Sequence, residues 1–161
     1  MNYDIVLMNR DVLTEDFAKL LGFSKLIFKE DFSKFGIIES KNYETDRKLI
    51  ENKRIKVLVD PHVNIERDSL HFRKGGLNHI VCNLAHKNSV AVGFSLSSID
   101  SPVIIGRIRQ NIKLCRKYNV KILFFTFAKT KYELRSAIDL ISLLRVLGMN
   151  GMEAKQALSF I

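Results

Sequence analysis

Val90-Ala91-Val92-Gly93-Phe94 is a short apolar run, followed by a helical pattern from Val103 to Tyr118 and by a second run, Lys121-Ile122-Leu123-Phe124-Phe125. Runs this short and this uniformly apolar mark strands covered on both faces, as in a parallel sheet. The same alternation extends outward in both directions. Upstream, Leu77, Ile80, Val81 and Leu84 recur at the spacing of one buried helical face. Before them Lys56-Val57-Leu58-Val59 is a strand ending at Asp60-Pro61-His62, with a polar loop from Asn64 to Lys74 between the two. Asn42 to Asn52 is helical, with Asp46, Arg47 and Glu51 outward. Lys25 to Phe28 and Phe35 to Glu39 are strands with room only for a turn between them, so one crossover helix is missing there. Tyr3 to Leu7 is a strand, and Thr14 caps a helix carrying Phe17, Leu20 and Leu21 that Gly22 stops. Downstream, Tyr132 to Leu147 is a long helix with Leu134, Ile138, Ile141 and Leu144 inward, ended by Gly148 and followed by a short helix from Met152 to Phe160. Successive βα units of this kind require a largely parallel sheet with right-handed crossovers. The expectation is a single α/β domain over residues 1–161. A closed or incomplete barrel and an open doubly wound sheet both satisfy the period.

At 161 residues, 47% of them hydrophobic, the chain has the length and composition of one globular domain with a real core. No window approaches the roughly 18 apolar residues of a membrane span. Met1-Asn2-Tyr3-Asp4 lacks the basic-then-apolar pattern of a secretory signal, so the expected location is the cytoplasm. Cys82 and Cys115 both sit in apolar helical patterns; one bridge is arithmetically possible, and buried free thiols suit a reducing compartment better. Charge is unevenly spread. Residues 1–80 hold 14 Lys and Arg against 13 Asp and Glu, net +1, whereas residues 81–161 hold 12 against 4, net +8. A one-sided positive field attracts polyanions and speeds their association, though a lysine-rich solvated surface gives the same count.

The helix from Val103 to Tyr118 sharpens that expectation. Ile104, Ile108, Ile112 and Cys115 form its buried stripe, while Arg109, Lys113, Arg116 and Lys117 gather on an adjacent face with Arg107 nearby. Cations three and four apart repel by a few tenths of a kcal/mol, and a helix tuned only for stability would interleave acids. This one contains none. Lys129, beyond the 121–125 strand, is a further candidate contact. Arg135 and Asp139, at i and i+4 of the next long helix, stand in the less favourable order of cation before anion, which suits an Arg fork held for an external anion. Catalytic signatures are missing: there is no P-loop, no G-x-G-x-x-G, no G-x-S-x-G and no H-E-x-x-H. His62, His71, His79 and His86 include no H-x-H pair. His62 follows a strand end, where α/β proteins place their sites, but the other strand ends carry Met8-Asn9, Phe28-Lys29, Ser95 and Thr126 and offer no ligand set.

Three further stretches occur in a telling order: Arg73-Lys74-Gly75-Gly76-Leu77-Asn78-His79, Leu84-Ala85-His86-Lys87, and Val90 to Leu96. Cys115-Arg116-Lys117-Tyr118-Asn119-Val120-Lys121, Glu133 to Leu143, Gly148-Met149 and Ala154 to Ser159 follow. Over roughly residues 56–160 this series resembles the RNase P protein component 3 family of archaea and eukaryotes. The resemblance implies a TIM-barrel-like α/β fold, related to the polymerase and histidinol phosphatase superfamily but without its metal-binding histidines. It implies a non-catalytic, RNA-binding subunit of ribonuclease P, an endoribonuclease whose RNA removes 5′ leaders from precursor tRNA with magnesium. The implied partners are RNase P RNA, a small ferredoxin-like protein subunit and, for the holoenzyme, precursor tRNA; no cofactor or metal is expected on this chain. By motif, Arg73 (with Lys74 beside it) and Arg135 with Asp139 carry the family's basic contacts. Three departures stand out. Ser97 and Ser98 follow Gly93-Phe94-Ser95-Leu96 where the family continues with Arg and Pro. The Ser97–Ser101 loop is short, and the N-terminal portion is too compressed for eight strands, so the barrel is expected to be incomplete. The competing readings are a metal-dependent phosphoesterase of the related superfamily and a general RNA-binding scaffold.

Overall fold

The structure is a computed structural model that describes residues 1–65 and 67–160. Its strands are β1 (Tyr3–Ile5), β2 (Lys25–Ile27), β3 (Ile37–Glu39), β4 (Val57–Val59), β5 (Ala91–Ser95) and β6 (Ile122–Phe125). The α-helices are α1 (Val12–Leu20), α2 (Phe32–Phe35), α3 (Tyr43–Glu51), α4 (His79–Lys87), α5 (Pro102–Lys117), α6 (Ala137–Val146) and α7 (Gly151–Ala157). All strand pairs are parallel. β3, β4, β5 and β6 lie side by side in chain order, and β1 pairs with β2. The two sheets meet just beyond β6, where Phe127 N–H donates to Ile5 O at 3.0 Å and Leu7 N–H to Ala128 O at 2.9 Å. Phe127 takes a left-handed φ of 54° at this junction. The resulting order is β2-β1-β6-β5-β4-β3, an arc of six strands. Among the described residues no ladder joins β2 to β3. The fold is TIM-barrel-like with the barrel left open.

Side-chain alternation on the strands makes two cores. Ile5, Ile27, Ile37, Val57, Val59, Ala91, Leu123 and Phe125 point to the concave side of the arc and pack with Phe127. Val6, Leu26, Leu58, Val92, Phe94 and Phe124 point outward, under helices that contribute Val81, Cys82, Ile108, Ile112, Cys115, Leu140 and Leu144. Gly93 faces inward because Phe125 fills the space beside it: a Cβ there would meet the Phe125 ring at 2.7 Å. The one-turn α2 sits where a crossover helix is missing. Its Phe32 stacks on Phe127 (5.8 Å) and its Phe35 packs edge-on against Phe160 (5.4 Å), closing one side of the concave core with aromatic surface in place of strands.

The sheet is pinned across its junction by Asp4. This carboxylate is fully buried and accepts from Thr126 N–H at 2.7 Å, Thr126 Oγ1 at 2.7 Å and Ile5 N–H at 2.9 Å. Burial drives its pKa up to about 6 despite those donors.

Several local expectations are corrected. The first helix is capped by Asp11, which accepts from the backbone N–H and hydroxyl of Thr14; Thr14 and Ala18 are buried, while Phe17 and Leu20 face solvent. Asp46 is buried inside α3 instead of outward, holding Ser40 Oγ and Lys41 N–H. In α4 the inward residues are Val81, Cys82 and Ala85, one step round from the expected face, and Ile80 is exposed. The long helix starts at Ala137 and not Tyr132, because Ser136 caps it through Asp139 N–H (3.1 Å) and Ala137 N–H is held by Leu21 O (2.8 Å). Ile138 is consequently exposed, and Leu140, Leu144 and Leu147 are buried. The α5 stripe of Ile104, Ile108, Ile112 and Cys115 is buried as the period requires, and both cysteines are buried free thiols. Within the 64–74 loop, Glu66 lies outside the described residues.

Candidate nucleic-acid interface

The loop after β4 leaves the carboxyl end of the sheet and is fastened down along α5. Arg107 is the main tie: its guanidinium donates to His62 O at 3.3 Å and to Asp68 Oδ1 at 3.0 Å, and the side chain is nearly buried. Asp68 also accepts from Lys74 N–H at 3.1 Å, and that bond, with Arg107 beside it, holds its carboxyl below the usual range. One turn along the helix, Gln110 Nε2 donates to Arg73 O at 3.0 Å and Asn111 Nδ2 to Gly75 O at 2.7 Å. Gly76 closes the attachment with φ of 88°, its α-carbon against the Pro61 carbonyl. Helix and loop thus share one hydrogen-bonded seam, which fixes the backbone of the loop against α5.

An open cleft of about 340 Å³ lies on this seam, lined by Arg73, Gly106, Arg109, Gln110 and Lys113. Gly106 is part of its lining. A Cβ at that position would fall 1.9 Å from the Arg73 Nη1, so the Arg73 guanidinium lies directly on helix backbone. Three cations from a loop and a helix converge there, with no carboxylate among the described lining residues.

The other expected contacts are placed differently. Arg107 is buried in the seam. Arg116 is engaged at the opposite end of α5: it donates to both carboxylate oxygens of Glu153 (2.7 and 2.8 Å) and to Gly148 O (2.8 Å), which staples α5 to α7. Lys117 lies over the Tyr118 ring at 5.6 Å. Lys74 edges a separate cavity next to the cleft. Lys129 is exposed beyond β6, its N–H bound by Glu133. Arg135 is exposed but stands outside the helix, donating to Tyr132 O (3.1 Å) and Leu134 O (2.9 Å). No ion pair links it to Asp139 among the described residues, so the i, i+4 argument for that pair does not apply. Gly106, Gln110 and Asn111 were not singled out from sequence. A glycine inside a cationic helix, costing about 1 kcal/mol relative to alanine, was the available signal for Gly106.

His62 belongs to the sheet end and not to the cleft. It is fully buried against Phe94, with Nε2 at 3.0 Å from Ser98 Oγ. The Ser98 hydroxyl donates to Ser95 O (2.8 Å), so His62 Nε2 carries the proton, and Nδ1 has no partner among the described residues. Burial, reinforced by the Arg107 charge, lowers the imidazole pKa to about 4 and keeps it neutral. Asp60, whose carboxylate accepts from Ser95 N–H (2.8 Å) and Ser95 Oγ, is raised by burial to about 6. No three His, Cys, Asp or Glu residues come together in metal-binding geometry among the described residues.

Architecture and cleft together define an open α/β barrel with a cationic seam between α5 and the loop that follows β4. In sequence the chain is a relative of ribonuclease P protein component 3. The protein of that name from Methanosarcina acetivorans is 28% identical over 131 residues, covering 78% of this chain and 52% of that protein. That from Methanothermobacter thermautotrophicus is 28% identical over 124 residues, covering 73% of this chain and 48% of that protein. The chain spans about half the length of the curated relatives it matches. A chain in the cryo-EM structure of archaeal ribonuclease P with mature tRNA superposes with a TM-score of 0.66 at 19% identity, over 98% of this chain and 78% of that one, and so shares the fold. No family model matches the sequence. No helix among the described residues is long and apolar enough to cross a membrane.

Proposed function

We propose that this chain is a non-catalytic, RNA-contacting protein subunit of ribonuclease P, supporting an RNA catalyst in removing 5′ leaders from precursor tRNA. The observation that carries the reading is one cleft lined by three cations, Arg73 lying on the Gly106 backbone with Arg109 and Lys113 from the same helix, in a chain whose relatives are named for that enzyme. Arg73 presents a planar fork to a phosphate, while Lys113 supplies a point charge. Phosphate contacts of this kind position and neutralise RNA without reading its sequence. Hydrolysis and its magnesium are assigned to the RNA, and a small ferredoxin-like protein is the expected neighbouring subunit. The test is reconstitution with RNase P RNA and its other protein subunits, with precursor-tRNA cleavage followed at limiting magnesium. Addition of the chain should raise cleavage, and Arg73→Gln with Arg109→Gln and Lys113→Gln should abolish that gain. Equal support by the triple variant would sink the proposal, as would metal-dependent cleavage by the protein free of RNA.

A further inference from the structure

Next to the cationic cleft, the loop and the start of α3 line an open cavity of about 600 Å³. That volume lies in the range of pockets for small organic ligands. Its walls combine three kinds of group. Arg67, Arg73 and Lys74 are cationic; Asn64, Asn78 and Gln110 carry amides; Tyr43 and Phe72 present aromatic rings. The one carboxylate among the described lining residues, Asp46, already accepts from Ser40 Oγ and Lys41 N–H. Phe72 is 63% exposed and Tyr43 40% exposed, an unusual placement for large rings beside a cavity in a protein that buries most of its other phenylalanines. Tyr43 is nonetheless held in place, because its hydroxyl accepts from Asn78 Nδ2 at 2.9 Å, and Asn78 is itself fixed as the α4 cap through Val81 N–H (2.9 Å). Arg73 and Gln110 line both this cavity and the cleft, so the two spaces lie side by side and share a wall at the seam.

We infer that this cavity takes an unpaired nucleotide of an RNA strand whose neighbouring phosphates lie in the Arg73–Arg109–Lys113 cleft. The inference rests on the RNA-binding reading and adds to it the single-stranded state of the RNA and the place where a base is received. The chemistry is complementary in kind. Unstacked bases lie against aromatic faces and clustered cations track the backbone, while the amides of Asn64, Asn78 and Gln110 already donate to Ser40 O, the Tyr43 hydroxyl and Arg73 O and hold the wall in shape. A base-paired strand offers no free base face to Tyr43 or Phe72, so the cavity discriminates against duplex.

Fluorescently labelled oligouridylate, and an RNA duplex of the same length, would be titrated with the intact chain at fixed salt. Wild type should favour the single strand. Tyr43→Leu and Phe72→Leu should each weaken single-strand binding by about fivefold or more and leave duplex binding unchanged. Tyr43→Phe, which keeps the ring, should stay near wild type. Leucine variants that bind the single strand as wild type does would overturn the assignment while leaving RNA binding intact. Displacement of the strand by an equal concentration of free uridine monophosphate would overturn the assignment to a strand. Wild-type protein that binds neither RNA in a salt-dependent way would remove the underlying reading and this one together.

Discussion

Neutralising the three cleft cations should change how binding responds to salt, by an amount the geometry sets. Arg73, Arg109 and Lys113 share one space with no carboxylate among its described lining residues, whereas Arg116 is held by both oxygens of Glu153. Each phosphate neutralised contributes about −0.7 to the log–log salt slope for a single strand and about −0.9 for a duplex. Three contacts therefore account for about 2 to 3 units of slope. Between roughly 50 and 200 mM salt, that share alone corresponds to a loss of about 20- to 40-fold in affinity. Arg73→Gln, Arg109→Gln and Lys113→Gln together should remove it, so that the variant binds weakly at low salt and loses little more as salt rises. Arg116→Gln should leave the slope alone and lower stability by about 1 kcal/mol, since it breaks a half-exposed bidentate pair. The assay is titration of labelled RNA across a salt series, beside denaturant unfolding of each variant. A wild-type slope in the triple variant, or an equal slope change in Arg116→Gln, would refute the division of these cations into contact and staple.

Three other outcomes follow from the structure. Gly76→Ala should destabilise by more than about 2 kcal/mol in denaturant unfolding, because the position has φ of 88° and a Cβ would collide with the Pro61 carbonyl; a change within experimental error would contradict the loop attachment. Arg135→Ala should alter stability by less than about 0.5 kcal/mol, since Arg135 is exposed and touches only neighbouring carbonyls, so any loss of reconstituted cleavage in that variant reports a contact outside the chain. Burial raises the folded pKa of Asp4 to about 6 from the ordinary 3.8, so its contribution is fully present below about pH 4 and is lost as pH rises through 6. The stability difference between wild type and Asp4→Asn should therefore shift by about 3 kcal/mol across that window, against wild type at the higher pH. His62 acts in the opposite direction, contributing above pH 6.5 and losing that contribution as pH falls through about 4, so parallel curves for wild type and Asp4→Asn would count against the Asp4 argument alone.

Strands and the α5 stripe were legible because their signals are local. Val57-Leu58-Val59 and Leu123 to Phe125 are buried on both faces, and runs this short, rich in β-branched and aromatic residues, favour strands. Periodicity was weaker where two adjacent stripes of a helix both carry apolar residues. In α1 it pointed to Phe17 and Leu20, but the sheet takes Thr14 and Ala18, and in α6 a serine cap moved the start by several residues. The cleft was half legible. An acid-free helix marked Arg109 and Lys113, and the resemblance marked Arg73. Arg107 and Arg116 looked the same in sequence, because the carboxylates that occupy them, Asp68 and Glu153, lie 39 and 37 residues away. Local charge rules see i+3 and i+4, not partners brought together by the fold.

The bond between Asp4 and Thr126 has a consequence for how the chain comes into being. Its two ends are 122 residues apart. At roughly 5–20 residues per second, the first strand leaves the ribosome on the order of ten seconds before the residues that will satisfy its carboxylate have been made. During that interval β1 and β2 have each other but no third strand, and two strands alone are at best marginally stable in water. Their apolar faces and open edge are then available to other nascent chains. The slow, committing event of folding should therefore be the docking of this N-terminal pair onto a β3–β6 sheet that is already assembled, late in synthesis and only once Thr126 to Ala128 have been made.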